Sequence, residues 1–143
     1  VWLVSQIDEQ EHYPLYKQYI NTRHADGDMF PPNLTQFRDF ISNFREYTKI
    51  IEVRCEGELV AAGVVDILDD GLSAIYTYYS TDQKHKHRSL GTFTVLSQAT
   101  LAKEMNLSYL YLGYWIKDSP KMAYKSNYKP LEILKDRQWT LLV

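Results

Sequence analysis

The segment between residues 51 and 79 constrains the fold most. Ile51, Val53 and Cys55 alternate with Glu52 and Arg54, and Glu56-Gly57 follows as a tight turn. Leu59 to Leu68 is nearly all apolar, Asp69-Asp70-Gly71 closes a second turn, and Leu72 to Tyr79 is rich in aromatic and β-branched residues. Period-two alternation marks a half-buried strand, and short turns containing glycine join antiparallel neighbours. These runs predict a three-stranded antiparallel meander, on which everything else must pack. Upstream, Leu15, Tyr16, Tyr19 and Ile20 recur at helical spacing. Pro14 just before them suits a first turn, so a helix is expected from there to about Arg23. Asn33 and Gln36 form a capping box ahead of the stripe Leu34, Phe37, Phe40, Ile41 and Phe44, which predicts a second helix running to about Tyr47.

Downstream, the basic loop Lys84-His85-Lys86-His87-Arg88 leads into Ser89-Leu90-Gly91 and a helix with the stripe Val95, Leu96, Ala99, Ala102 and Met105, ending near Asn106. Tyr109 to Trp115 reads as a buried strand. A helical crossover from Tyr79 to Tyr109 makes its flanking strands parallel, so the sheet is mixed. Ser119-Pro120 opens a short helix through about Asn127, and Lys129 to Leu134 and Trp139 to Val143 supply the last extended pieces. The fold class is α+β. The element order resembles the N-acetyltransferase-like (GNAT) fold, a mixed twisted sheet flanked by helices. In that fold the loop before the helix after the fourth strand offers backbone N–H groups to phosphates, which assigns the role to Arg88–Gly91.

With 143 residues and 45% apolar content, one domain spanning residues 1–143 is the expected organisation. The single cysteine, Cys55, excludes an internal disulfide and a four-cysteine zinc site. No apolar run is long enough to span a bilayer, and Val1 to Asp8 lacks the pattern of a signal peptide, so a cytoplasmic protein without membrane attachment is expected. A net charge of −2 argues against coating nucleic acid through bulk charge. Any RNA contact must be focused, and DNA is not an expected partner. Most of the twelve tyrosines and three tryptophans suit core and sheet packing.

Two polar stretches carry candidate chemistry. Arg23-His24-Ala25-Asp26-Gly27-Asp28-Met29-Phe30-Pro31-Pro32 places a cation, an imidazole and two carboxylates in a loop pinned by prolines. Such groups can hold an acidic substrate and its amine, or simply form an Asx turn with a surface salt bridge. In Leu112-Gly113-Tyr114-Trp115-Ile116 a glycine within a strand suggests close approach of another backbone or a ligand. Lys121 and Lys125, four apart, share a helix face that can meet phosphate or carboxylate, or remain solvated.

Taken in order, R-H-A-D-G-D-M-F-P-P, R-S-L-G-T-F, Y-L-Y-L-G-Y-W-I and K-M-A-Y-K resemble the bacterial aspartate/glutamate leucyltransferases, relatives of the arginyl-tRNA-protein transferases. The resemblance covers about Tyr13 to Trp139. Members also carry an N-terminal domain with a cysteine-rich motif, which nothing in this sequence matches, so the chain reads as a fragment.

The resemblance implies an aminoacyltransferase of the N-end rule pathway of protein degradation. Its donor is an aminoacyl-tRNA, leucyl-tRNA in preference, and its acceptor the α-amine of a protein beginning with Asp or Glu. No cofactor and no metal are expected of the residues in this chain. Arg23 is assigned to the acceptor carboxylate, which a guanidinium can clamp with two parallel hydrogen bonds, and Arg88 is the second candidate. Asp26 and Asp28 are assigned to the ammonium and its proton, with His24 as alternative base. Ser89, Leu90 and Gly91 are assigned to the terminal phosphates of the donor. Tyr76, Tyr78, Tyr114 and Trp115 are assigned to its adenine or leucyl group, and Lys121 and Lys125 to the same donor. Competing readings are an arginyl-tRNA-dependent transferase, an acetyl-CoA-dependent N-acetyltransferase and a non-catalytic binder of acidic N-termini. Against acetyl-CoA stands Phe93, at a loop position where acetyltransferases of this fold carry a small residue.

Overall fold

A computed structural model describes all residues, 1–143. The chain forms two compact units, residues 1–111 and 112–143. The first holds the strands β1 (Trp2–Val4), β2 (Thr48–Cys55), β3 (Glu58–Ile67), β4 (Gly71–Tyr79) and β5 (Tyr109–Tyr111), and the helices α1 (Glu9–Arg23), α2 (Leu34–Ser42) and α3 (Leu90–Glu104). The five strands lie in sequence order in one sheet, antiparallel up to β4 and parallel between β4 and β5. The meander and the parallel strand after a crossover are those read from the sequence. The edge strand β1 was not foreseen, its three residues being too few for a pattern. No helix is long and apolar enough to cross a membrane.

Helix α1 begins five residues before Pro14. Asp8 caps it by accepting from the Gln10 N–H at 2.9 Å, and Glu9 and Glu11 in the first turn favour the positive helix end. Pro14 therefore sits inside the helix, where it gives up one backbone hydrogen bond. Helix α2 starts as expected, with the Asn33 side chain accepting from the N–H groups of Thr35 and Gln36 at 2.7 and 3.2 Å. It ends at Ser42 rather than near Tyr47. The Ser42 hydroxyl and the Asn43 amide both bond the Asp39 carbonyl, at 2.7 and 3.0 Å, and close the last turn.

One face of the sheet packs on α1 and α2 around Tyr16, Ile20, Phe37, Ile50, Val64 and Tyr78. The alternating charges of β2 do not point to water there. Glu52 is buried and accepts from His12 Nε2 at 2.8 Å, while the other ring nitrogen meets the Tyr78 hydroxyl at 2.7 Å. A carboxylate only accepts, so the Nε2 proton is fixed, and a neutral imidazole then accepts the Tyr78 proton at Nδ1. Arg54 donates to Glu52 and to Glu11, linking β2 to α1. Burial pushes the Tyr78 phenol well above its ordinary pKa.

The other face carries α3. Its buried residues are Leu90, Thr94, Val95, Gln98 and Ala102, whereas Leu96 and Met105 of the expected stripe are exposed and so is Ala99. Gly63 on β3 explains the rotation, because a Cβ there would stand 2.7 Å from Gln98 Nε2 and 2.8 Å from Thr94 Cγ2. With no side chain at Gly63, the helix seats two polar residues directly on the strand. Thr94 satisfies its hydroxyl on the Leu90 carbonyl at 2.8 Å.

The second unit holds a short helix, α4 (Pro120–Ala123), a 3-10 turn over Tyr124–Asn127, and a hairpin of β6 (Glu132–Lys135) and β7 (Gln138–Leu141). Asp136 and Arg137, at φ 51° and 63°, form the hairpin turn. The strand expected over Tyr109 to Trp115 pairs only as far as Tyr111, and Gly113 adopts φ +80°. Lys121 and Lys125 do not lie on one regular helix, because α4 ends between them.

Candidate functional site

The register Gly71↔Tyr109 to Ser73↔Tyr111 is the whole of the β4–β5 pairing, so β4 runs on through Tyr79 without β5 beside it. Beyond that strand end lies a cleft of about 490 Å³, walled by Arg23, Tyr79, Thr81, His85, Lys86 and the first residues of α3, Leu90 to Thr92. It lies wholly within the first unit.

Arg23 closes α1 and projects over β4. Its Nε and Nη2 donate to the Tyr79 hydroxyl at 3.2 and 2.8 Å, and its guanidinium carbon stands 5.6 Å from the Tyr79 ring centre. The bond to Tyr79 raises the Arg23 pKa further, so the cation is permanent. A guanidinium has five N–H donors, so the rest of its fork is available to a carboxylate. The Tyr79 ring lies against Gly91, where a Cβ would come within 3.0 Å of it, so this glycine lets the ring settle on the first turn of α3. Tyr19 packs 4.9 Å from Tyr79 and 4.9 Å from His24, and its hydroxyl pairs with His24 Nε2 at 2.9 Å. Arg23, Tyr79, Tyr19 and His24 thus form one connected series.

Ser89 precedes α3 in the left-handed region, φ 48° and ψ 53°, and makes no side-chain cap bond. The leading N–H groups of a helix have no intrahelical acceptor and carry its positive end, and the residues that hold them in α3, Leu90 to Thr92, line the cleft. Arg23, Ser89, Leu90 and Gly91 are the sequence candidates gathered here. Asp26 and Asp28 are exposed in the loop after α1 and do not line the cleft, and Arg88 is exposed outside its wall. Phe93 stands 45% exposed on the first turn of α3 rather than in the core.

Tyr78 is a core residue, a correction to its reading as a donor platform, and Tyr76 is partly buried against the same core. Tyr78 has 0% exposure with its hydroxyl on His12, and Tyr76 is wedged between Phe40, at 5.8 Å, and Tyr78, at 6.2 Å. Tyr79, on the other side of the pleat, is the β4 tyrosine that meets the cleft. In the second unit Tyr114 is 89% exposed and Lys121 is exposed. Lys125 donates to the Tyr114 carbonyl at 2.7 Å, and desolvation lowers its pKa. The Trp115 indole N–H is buried without a hydrogen-bond partner.

Sequence reasoning missed Tyr79, Tyr19 and His85. Alternation along β4 separates Tyr79 from Tyr78, a signal that was present, whereas the basic run around His85 concealed a residue that is 6% exposed.

Comparison with known proteins bears on this geometry. Two solved N-acetyltransferases share the fold. The ribosomal-protein-S18-alanine N-acetyltransferase from Escherichia coli aligns over 88% of this chain and 74% of its own, with a TM-score of 0.58 and 15% identity. The ribosomal-protein-alanine N-acetyltransferase from Brucella melitensis biovar Abortus 2308 aligns over 99% and 94%, with a TM-score of 0.56 and 19% identity. The GNAT fold expected from element order is therefore present.

Sequence relatives include three proteins named aspartate/glutamate leucyltransferase. That of Chromohalobacter salexigens is 45% identical over 130 residues, 91% of this chain and 53% of the relative. That of Acinetobacter baylyi is 49% identical over 131 residues, 92% and 48%, and that of Pseudomonas putida 47% over 134 residues, 94% and 56%. The chain spans about half the length of these relatives. The family model described as arginine-tRNA-protein transferase, C terminus, matches residues 11–135, and the chain belongs to that family.

Proposed function

We propose that the protein transfers leucine from leucyl-tRNA to the α-amine of proteins whose first residue is aspartate or glutamate. One structural observation supports this above others: a permanent, partly uncommitted guanidinium, Arg23, shares a cleft with the leading N–H groups of α3. An acidic acceptor and a phosphate-bearing donor need those two features within reach of each other. The names of the relatives supply leucine as the transferred group.

In this reading the neutral α-amine attacks the ester carbonyl carbon of the donor. A C–N bond forms, the C–O bond to the ribose breaks, and the proton lost by the amine is balanced by one delivered to the departing ribose oxygen. The ester is already activated, so alignment is the main demand. Arg23 holds the acceptor carboxylate, and Ser89, Leu90 and Gly91 hold donor phosphate. Asp26, Asp28 and His24 are assigned to the ammonium and its proton, with Arg88 as a second cation. Tyr114, Trp115, Lys121 and Lys125 keep their donor assignment on the motifs alone.

A peptide panel tests the acceptor. With labelled leucyl-tRNA, peptides beginning with Asp or Glu are expected to be labelled at least about a hundredfold faster than those beginning with Asn, Gln or Ala, since a charge-assisted pair is lost in the latter. Equal labelling across the panel removes the acidic N-terminus from the account.

A further inference from the structure

His85 lies in the 3-10 turn before α3, is 6% exposed, and lines the same cleft as Leu90–Thr92. Neither of its ring nitrogens has a hydrogen-bond partner. Buried polar side-chain atoms in folded proteins are almost always paired, so two unpaired nitrogens on one ring mark unused bonding capacity. Both nitrogens lie just beneath a cleft wall that also carries cations. Lys86 is the next residue and lines the cleft, as do Arg23 and Leu90 to Thr92 at the start of α3, where the helix has backbone N–H groups without intrahelical acceptors. The one carboxylate in the wall, Asp82, is engaged with Gln18 at 3.4 Å.

We propose that His85 is a binding residue for a nucleotide phosphate, donating a ring N–H to a phosphate oxygen seated at the start of α3. This rests on the transferase reading, in which the phosphate belongs to the terminal nucleotide of the aminoacyl-tRNA, and it extends that reading by naming a side chain that selects the donor. A phosphate needs convergent donors, and here a side-chain donor and several backbone donors meet in a partly enclosed space where such bonds are stronger than in water. The basic character of the segment 84–88 then has a division of labour. Lys84 is spent on Glu58 at 2.9 Å, and His85 faces inward.

The test uses adenosine 5′-monophosphate as probe and the His85 ring signals in a histidine-labelled sample as readout. AMP is expected to move those signals, adenosine without phosphate is not, and His85→Ala is expected to weaken AMP binding by about tenfold or more. In turnover, His85→Ala should raise KM for leucyl-tRNA by a similar factor, leaving KM for the acceptor peptide and kcat nearly unchanged. His85→Asn, which keeps a donor, should recover part of the loss. If the ring signals ignore AMP, or if His85→Ala lowers the melting temperature and raises both KM values together, His85 is a structural residue and the proposal is overturned. If AMP binds through His85 while no leucine is transferred, the transferase reading has failed and the phosphate site stands.

Discussion

Arg23→Ala is expected to lower kcat/KM for peptides beginning with Asp or Glu by about 10²–10³, the range for removing a charged donor from a desolvated pair. The melting temperature should change little. Arg23 is an exposed residue at the end of α1, and what it gives the fold is a pair of bonds to one hydroxyl and contact with one ring. Exposed polar contacts of this kind contribute little to stability. Arg23→Lys should recover little activity, because one ammonium cannot reach the Tyr79 hydroxyl and also present a planar fork to a carboxylate. Steady-state kinetics on an Asp-peptide decide the matter, and unchanged turnover by Arg23→Ala would take this residue out of the acceptor site.

Glu52→Ala is expected to have the largest effect on stability, about 3–5 kcal/mol, because it leaves His12 and part of Arg54 facing an uncompensated buried gap. His12 has 0% exposure, and its two nitrogens are divided between Glu52 and the Tyr78 hydroxyl, so one deletion disturbs α1, β2 and β4 together. For a chain of this size the loss corresponds to roughly 10–17 °C in melting temperature. The effects of His12→Ala and Glu52→Ala should be less than additive, since either one breaks the same series of bonds. Urea unfolding of the single and double variants measures this. A loss below about 1 kcal/mol for Glu52→Ala means that the network does not hold the layers together.

That network also shows where sequence reasoning stopped. The meander was legible because Glu56-Gly57 and Asp69-Asp70-Gly71 are strong turn signals between strand-like runs, and Gly57 indeed adopts φ +85°. Glu52 obeyed the same alternation, but alternation reports only that it faces opposite to Ile51 and Val53. Whether that face meets water depends on α1, forty residues earlier in the chain, supplying His12. The same limit applies to α3. Its apolar residues suggested one stripe, while the buried side is set by Gly63 on another element, which draws Thr94 and Gln98 inward.

The candidate site divides along similar lines. Arg23 and Ser89–Gly91 were found through motif strings, and the structure gathers them at one cleft. Tyr76 and Tyr78 were selected for their aromatic rings, and the pleat of β4 turns these two to the core and leaves Tyr79 at the cleft. His85 was hidden in a basic run, because charge composition says nothing about which member of a tight 3-10 turn points inward.

Competition among donors separates leucyl transfer from every other reaction this fold could carry out. The protein is given a peptide beginning with aspartate and, in separate reactions, labelled leucyl-tRNA, arginyl-tRNA or acetyl-CoA. Label is expected on the peptide α-amine from leucyl-tRNA, with far slower or no transfer from the other two. The fold it shares with acetyltransferases makes acetyl-CoA the sharpest comparison. Acetylation of the peptide with no leucine transferred overturns leucyl-tRNA as the donor and makes the protein an acetyltransferase.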